Sequence, residues 1–330
     1  MLSDNEVKSP VYDLLAQIGY PLRQNVLLSR YCSAQIGGPA EYLIEVNTAN
    51  QLEKIIQGIW INHVPYTLLG RGSNVLISDV GLSGIVVINR AKGVGRIRVC
   101  ETAEEIQIWA ESGVNLGTLT RVVAEKGLSG LEWATGIPGT VGGAVVNNAG
   151  AFNGDIAHSL IMADILQQNP EPDQGISLRQ TWTSSDFHYS YRNSRIKNES
   201  EQVVILRACL RVEKSKPEFI KAKMAQINQK RKATQPPGAS MGSIFKNPPG
   251  DYAGRLIEAA GLKGLQVGGA QISLQHANFM VNQGNACAQD FWDLISVVQK
   301  EVLNQFDVQL ELEIQPLGTF KEVQKVNQSD

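Results

Sequence analysis

An excess of charge is what this sequence most clearly lacks: 30 Lys and Arg face 32 Asp and Glu, a formal net charge of −2 over 330 residues. Without a basic surplus there is no counterion release to gain on a polyanion, so nucleic acid is not an expected partner. Long apolar runs are missing too. No stretch approaches the roughly 18 residues that a spanning helix requires. The opening MLSDNEVKSP has neither the basic start nor the apolar centre of a secretory signal. A cytoplasmic protein with no membrane partner is expected. Cysteine is sparse and scattered: Cys32, Cys100, Cys209 and Cys287 form no CxxC pair and no Cys/His cluster. That argues against a structural zinc site and points to reduced thiols with no metal centre.

What is present is a globular composition, 43% hydrophobic and 19% charged, in a chain about two to three domains long. In TANQLEKIIQGIWINH (48–63), Thr48 and Gln51 make a capping box, and Leu52, Ile55, Ile56, Ile59 and Trp60 recur at helical spacing. Strands are expected at PYTLL (65–69), VLIS (75–78), GIVVINR (84–90), EEIQIWAES (104–112) and VVILRACLRV (203–212). LGTLTRVVAEKG (116–127) reads as a helix stopped at Gly127, and KPEFIKAKMAQINQKRKAT (216–234) as a charged surface helix. AGRLIEAAG and AQDFWDLISVVQKEVLNQF are two more helices. VQLELEIQPLG (308–318) alternates strictly and is expected as one strand. Its faces would be Val308, Leu310, Leu312 and Ile314 against Gln309, Glu311, Glu313 and Gln315. Strands and helices mixed without regular βαβ alternation predict α+β. The composition shift at VEKSKPE (212–218) is the candidate domain boundary, and the segment after Gly318 is expected to fray.

Two stretches stand apart. GIPGTVGGAVVNNAGAFNGD (136–155) carries no Lys, Arg, Asp or Glu from Gly136 to Gly154 and holds six glycines. A loop so poor in side-chain chemistry binds with backbone N–H groups, which suits an anion. It lacks the Lys-Ser/Thr of a P-loop, so a nucleoside triphosphate with magnesium is not expected. GRGSN (70–74) begins like a dinucleotide fingerprint, but Val75 replaces the third glycine and VLIS follows where a helix should. Either loop alone reads equally as a turn between strands. Together they suggest a large pyrophosphate ligand that is not held Rossmann-style, and a dinucleotide such as FAD fits.

In order and spacing, five segments resemble the UDP-N-acetylenolpyruvoylglucosamine reductase family: LGRGSNVLISDVGLSGIVV, SGLEWATGIPGTVGGAVVNNAGAFNGD, YRNS (191–194), SMGSIFKNP (240–248) and LEIQPLG (312–318). The resemblance runs from about Gly37 to Gly318. It implies a two-subdomain FAD-binding fold of the vanillyl-alcohol-oxidase/PCMH type with a C-terminal α+β substrate domain. The expected division is an N-terminal segment 1–34, an FAD-binding domain 35–212, a substrate-binding domain 213–318 and a frayed tail 319–330. It also implies non-covalent FAD, NADPH as cosubstrate, and reduction of UDP-N-acetylglucosamine enolpyruvate to UDP-N-acetylmuramate for peptidoglycan. A monomer is expected.

By the same resemblance, FAD would be held by Gly70, Gly72, Ser73, Asn74, Ile137, Gly139, Thr140, Gly142, Gly143 and Asn148. Arg192 matches the arginine that meets a carboxylate or enolate, a task suited to a planar guanidinium that stays charged. Ser243 matches the proton donor; a hydroxyl is a weak acid, but an enolate carbon is basic enough to take its proton. Ser240 is its nearest rival and is set aside on motif position. Glu313 matches the carboxylate that shares or relays a proton; Glu311 lies on the same face, so alternation alone does not choose between them. Asn247 and Lys232 match substrate ligands, Lys232 for the diphosphate, with Arg231 able to take its place. His276 reads as structural because no metal partner accompanies it.

The sequence departs from the family at YCSAQIGGPA (31–40), which lacks the usual Asn-Thr and leaves adenine-side contacts there open. The span from Arg192 to Ser243 leaves no room for the tyrosine-bearing insertion of one family branch. Two other functions stay open. One is a flavin oxidase of the same fold, although His63 precedes the first glycine loop and a histidyl tether is not expected. The other is a non-catalytic UDP-sugar-binding protein, against which Arg192, Ser243 and Glu313 speak.

Overall fold

The structure, a computed structural model, describes residues 19–91, 98–101, 106–169, 175–198 and 202–321. Residues 1–18 of the expected N-terminal segment and 322–330 of the expected tail lie outside them. The described chain divides into two compact units. One draws on the stretch up to Asn25 with Glu41–Gly70 and Ser83–Ile227, the other on Val26–Ala40, Arg71–Leu82 and the chain from Asn228 onward. Both mix helix and strand, as α+β requires.

In the first unit the helix Ala49–Ile61 starts where its sequence says it should, with Thr48 Oγ1 accepting the Gln51 N–H at 3.1 Å. The reciprocal half of the box differs. Gln51 Oε1 accepts from Asn47 N–H at 2.7 Å instead of from Thr48, one residue earlier than a standard capping box. Its apolar stripe, Leu52, Ile55, Ile56, Ile59 and Trp60, packs with Ile44, Val46, Ile85 and Val87. Each such side chain contributes about 1.5–3 kcal/mol on burial. A four-stranded sheet runs in the order Arg23–Leu27, Pro39–Val46, Leu82–Asn89, Tyr66–Leu69, the last two parallel.

A second, antiparallel sheet runs Ser177–Thr183, Leu160–Gln168, Val203–Lys214, Ile106–Glu111, Arg98–Glu101. Its long strand changes allegiance midway. Val204 and Leu206 join the core of the first helix, whereas Ala208, Leu210 and Val212 join a separate core with Leu116, Leu119 and Val123. Strict alternation would forbid Ile205 and Ala208 from sharing a face, yet both belong to that second core. The register explains it. Asp164 pairs with Arg207 but Ile165 pairs with Ile205, so one extra residue bulges out and shifts the parity. The helix Leu116–Glu125 ends as expected, with Lys126 as its cap and Gly127 left-handed at φ +68°.

In the second unit, strands Ala239–Ser243, Phe279–Asn282, Ala270–Ile272 and Gln266–Val267 form an antiparallel sheet. The helix Ala288–Phe306 buries Phe291, Leu294, Ile295, Val298 and Val302. Its first N–H groups, Ala288 and Gln289, donate to the Asp79 carboxylate at 2.8 and 2.9 Å. The single strand expected over 308–318 is not there. Only Gln315–Leu317 forms a strand, parallel to Val75–Ile77, and Leu312 makes one isolated bridge to Phe245. The side-chain alternation survives, because Leu310 and Ile314 are buried while Gln309 and Glu311 are exposed. An extended chain keeps period two without a ladder; here its N–H groups find partners one at a time, Glu313 on Ile244 O and Gln315 on Asn74 O. Among the described residues no helix is long and apolar enough to cross a membrane.

Candidate functional site

The residues singled out by sequence fall into both units. Gly70, Ile137, Gly139, Thr140, Gly142, Gly143, Asn148 and Arg192 belong to the first; Gly72, Ser73, Asn74, Lys232, Ser243, Asn247 and Glu313 belong to the second.

In the first unit the glycine stretch is only partly a loop. Thr140 N-caps a short helix, Val141–Asn147, with Oγ1 accepting the Gly143 N–H at 3.3 Å. The helix N-terminus is therefore not a row of open donors. Val141 N–H donates to Val114 O at 2.9 Å and Gly142 N–H to Ser112 O at 2.7 Å. At Gly142 a Cβ would stand 2.8 Å from Ser112 Cβ, so glycine permits helix and strand end to touch. Gly143 is exposed, and a Cβ there would meet only Thr140 Oγ1, at 3.4 Å. Gly70 also abuts Thr140, whose Oγ1 would lie 2.5 Å from an added Cβ.

The C-terminus of the same helix is sewn to the turn that carries Arg192. Tyr189 OH donates to Val145 O at 2.9 Å, Ser194 Oγ to Val146 O at 2.6 Å, and Arg192 Nη2 to Gly150 O at 2.8 Å. Arg192 Nη1 reaches Asn148 O at 3.5 Å. Tyr189 and Ser194 thus serve last-turn carbonyls, while Arg192 serves the carbonyls of the cap and of the residue two beyond it, where a cation suits the negative end of the helix. Asn148 closes the helix in the left-handed region at φ 44°, with both ends of its amide engaged: Nδ2 on Ser190 O at 2.9 Å, Oδ1 under Ala157 N–H at 3.0 Å. Its side chain is a tether. Ser190 and Asn193 exchange N–H···O bonds across the turn, and Arg192 sits inside it at φ +54°. Glycine or asparagine would relieve that position, so the guanidinium is held at a backbone cost.

In the second unit the motif residues interlock. Ser243 ends a strand whose register slips by one residue: Ser240 lies opposite Val281 and Ser243 opposite Phe279, with Gly242 left-handed at φ +82° between them. Partners two apart share a face, so the bulge brings Ser240 and Ser243 to the same side of the sheet. Beyond Ser243, Ile244 O accepts Glu313 N–H at 2.8 Å and Lys246 N–H donates to Glu311 O at 2.8 Å. Asn74 Nδ2 donates to Glu313 O at 3.2 Å. The two glutamates differ in setting. Glu311 is 72% exposed and its Oε2 pairs with Lys246 Nζ at 3.1 Å, whereas Glu313 is half-buried. Gly72, left-handed at φ +58°, accepts Ser33 N–H on its carbonyl at 2.9 Å.

Asn247 is exposed and its Oδ1 accepts Ala253 N–H at 3.1 Å. Lys232 is exposed near the end of the helix Pro217–Thr234, while burial pulls its neighbour Arg231 below the usual guanidinium range. His276 is a structural group here. Nδ1 accepts Asn278 N–H at 3.2 Å, the ring packs 4.8 Å from Phe279, and burial lowers its pKa. Pattern reasoning missed Ser112, Ser190 and Asn278. The first two act through backbone carbonyls, which leave no mark in sequence; the Asn278 amide bonds the Phe245 backbone 33 residues away, a pairing that no local pattern announces.

FAD is the group the glycine loops imply, and an uncharged surface with one buried, unpaired acceptor fits it. No carboxylate lies between Gly136 and Gly154 to repel a pyrophosphate. Asn147 keeps Oδ1 buried with no donor among the described residues, while its Nδ2 serves Gly143 O at 2.8 Å. A neutral surface with an orphaned acceptor suits a ligand that brings hydroxyls and its own charge.

Residues 40–169 match the FAD binding domain family, and residues 232–317 match the family described as UDP-N-acetylenolpyruvoylglucosamine reductase, C-terminal domain. The chain is 40% identical over 296 residues to a UDP-N-acetylenolpyruvoylglucosamine reductase of Chloroflexus aggregans, covering 89% of this chain and 96% of that one. A reductase of the same name from Synechococcus is 42% identical over 301 residues, 91% of this chain and 95% of that one. Among solved structures, the UDP-N-acetylenolpyruvylglucosamine reductase of Thermus caldophilus superposes with a TM-score of 0.73 at 34% identity, over 90% of this chain and all of that one. These likenesses bear out the expected α+β architecture of an FAD-binding part followed by a C-terminal domain of the reductase family.

Proposed function

The chain belongs to the UDP-N-acetylenolpyruvoylglucosamine reductase family, an FAD-binding oxidoreductase family, and we propose that it reduces UDP-N-acetylglucosamine enolpyruvate to UDP-N-acetylmuramate with NADPH as electron source. It does so as a cytoplasmic monomer making a peptidoglycan precursor. The domain division at 212–218 is part of the same proposal.

Reducing an enolpyruvyl ether adds hydride to the terminal carbon and a proton to the carbon bearing the ether oxygen and carboxylate. Bound FAD supplies the hydride chemistry, for which no side chain of the chain is competent. The side chains manage charge and proton. Arg192, held at Gly150 O and Asn148 O, meets the substrate carboxylate as negative charge grows on it. Ser243 Oγ holds the proton for the carbanionic carbon, and Glu313 shares it. Gly70, Gly72, Ser73, Asn74, Ile137, Gly139, Thr140 and Gly143 line the FAD; Gly142 and Asn148 support that lining from behind. Lys232 and Asn247 take the UDP-sugar.

The observation that carries this reading is the interlock of the two motif segments: Glu313 N–H on Ile244 O at 2.8 Å, directly after Ser243. The test is anaerobic. NADPH should bleach the flavin absorbance of Ser243→Ala as fast as that of the wild type, while recovery on adding the enolpyruvyl sugar falls by about 10²–10⁴-fold. Recovery at the wild-type rate would remove Ser243 from the reaction.

A further inference from the structure

The three residues after Ser243 are held from two sides. On one side lie Glu311 and Glu313, already described. On the other lies Asn278, only 4% exposed. Its Oδ1 accepts Phe245 N–H at 2.9 Å and its Nδ2 donates to Phe245 O at 2.8 Å. Its backbone carbonyl accepts Ile244 N–H at 2.9 Å. The side-chain amide thus does for Phe245 what a neighbouring strand would do, meeting donor and acceptor of one residue at once. Asn278 is itself fixed by its N–H on His276 Nδ1 at 3.2 Å. Phe245 is 1% exposed, so neither of its backbone groups has water to fall back on.

We propose that Asn278 is a positioning residue for the Ser243 hydroxyl, holding the Ile244–Phe245 backbone so that the proton is presented at one place. This rests on the reading of Ser243 as proton donor. The chemistry of the position is narrow. It needs one acceptor and one donor, side by side, at the reach of a single methylene. Only asparagine and a protonated aspartic acid meet that description. Releasing the backbone would let Ser243 drift, and a displacement of about 1 Å costs on the order of 10²-fold in a positioned reaction.

The substitution Asn278→Asp makes the proposal testable by pH. A buried carboxyl is shifted upward. Neutral, it restores both bonds to Phe245; ionised, it loses the donor and faces the Phe245 carbonyl. Substrate-driven recovery of flavin absorbance in Asn278→Asp should therefore fall about 10–10²-fold below wild type at alkaline pH and return as pH is lowered. NADPH bleaching should stay at the wild-type rate throughout. Asn278→Ala should show the loss without the return. As a readout apart from activity, the Ile244 and Phe245 amides should exchange slowly with solvent in the wild-type protein and faster in Asn278→Asp at alkaline pH. Equal losses in both half-reactions, a wild-type pH profile, or unprotected amides in the wild-type protein would each overturn the proposal. Ser243→Ala run alongside separates the two readings. If it recovers at the wild-type rate, Ser243 is not the donor; if it is slow while the Asn278 variants are fast, only the positioning role fails.

Discussion

Replacing Asn148 by alanine separates a tether from a ligand contact. The residue is 6% exposed and left-handed, and its amide holds Ser190 O at 2.9 Å and Ala157 N–H at 3.0 Å. Alanine would strand both partners, each at about 1–3 kcal/mol, and would tolerate the left-handed backbone less well by about 1 kcal/mol. The sum is about 3–7 kcal/mol, a large part of an ordinary domain's stability. Asn148→Gly relieves the backbone but not the lost bonds, so it should be milder by about 1 kcal/mol. The assay is urea unfolding of flavin-free protein, followed by the region around Trp182 and Tyr189, which belongs to the same unit. Flavin-free Asn148→Ala with wild-type stability, but with weakened FAD binding, would refute the tether and make Asn148 a direct cofactor contact.

Two further outcomes are expected. Gly72→Ala should cost more than about 3 kcal/mol, because φ is +58° and the new Cβ would collide with Tyr31 O and stand 2.9 Å from Cys32 Cα; an unchanged thermal midpoint would contradict it. Burial pushes the Glu132 carboxyl up, but hydrogen bonds from Ser129 and Gly130 and the Lys223 ammonium outweigh it and leave the carboxyl below its usual value near 4.5. The folded pKa is thus depressed, so this stability is present above the unfolded pKa and lost as pH falls through the folded one. Glu132→Gln should flatten that acid limb in unfolding midpoints measured downward from neutral pH, and parallel wild-type and variant curves would sink the assignment.

The elements most legible in the sequence are those whose cause is local. The helix Ala288–Phe306 matches its apolar period from end to end, and Gly127 stops its helix for the conformational reason that favours glycine there. Where the cause is another part of the chain, sequence reading fails. The bulge between Asp164 and Ile165 depends on the partner strand's register. The missing ladder over 308–314 depends on which neighbours the backbone finds. Both segments have strand-like patterns, because side-chain alternation reports an extended backbone and says nothing of its partners.

The candidate site repeats this division at closer range. Motif matching singles out residue types at the right places, but it cannot say which polar atoms are already spent. Gly142 and Asn148 look like cofactor contacts because they lie in an uncharged glycine stretch; their donors are taken by Ser112 O and Ser190 O, residues outside that stretch. Glu311 and Glu313 look alike because period two puts them on one face. What parts them is Lys246, which salt-bridges Glu311 at the surface. An exposed ion pair of that kind is worth little, about 0–1 kcal/mol, so its consequence is selective more than energetic. It ties up the exposed Glu311 carboxylate, whereas Glu313 is half-buried and its backbone N–H is fixed on Ile244 O, directly after Ser243.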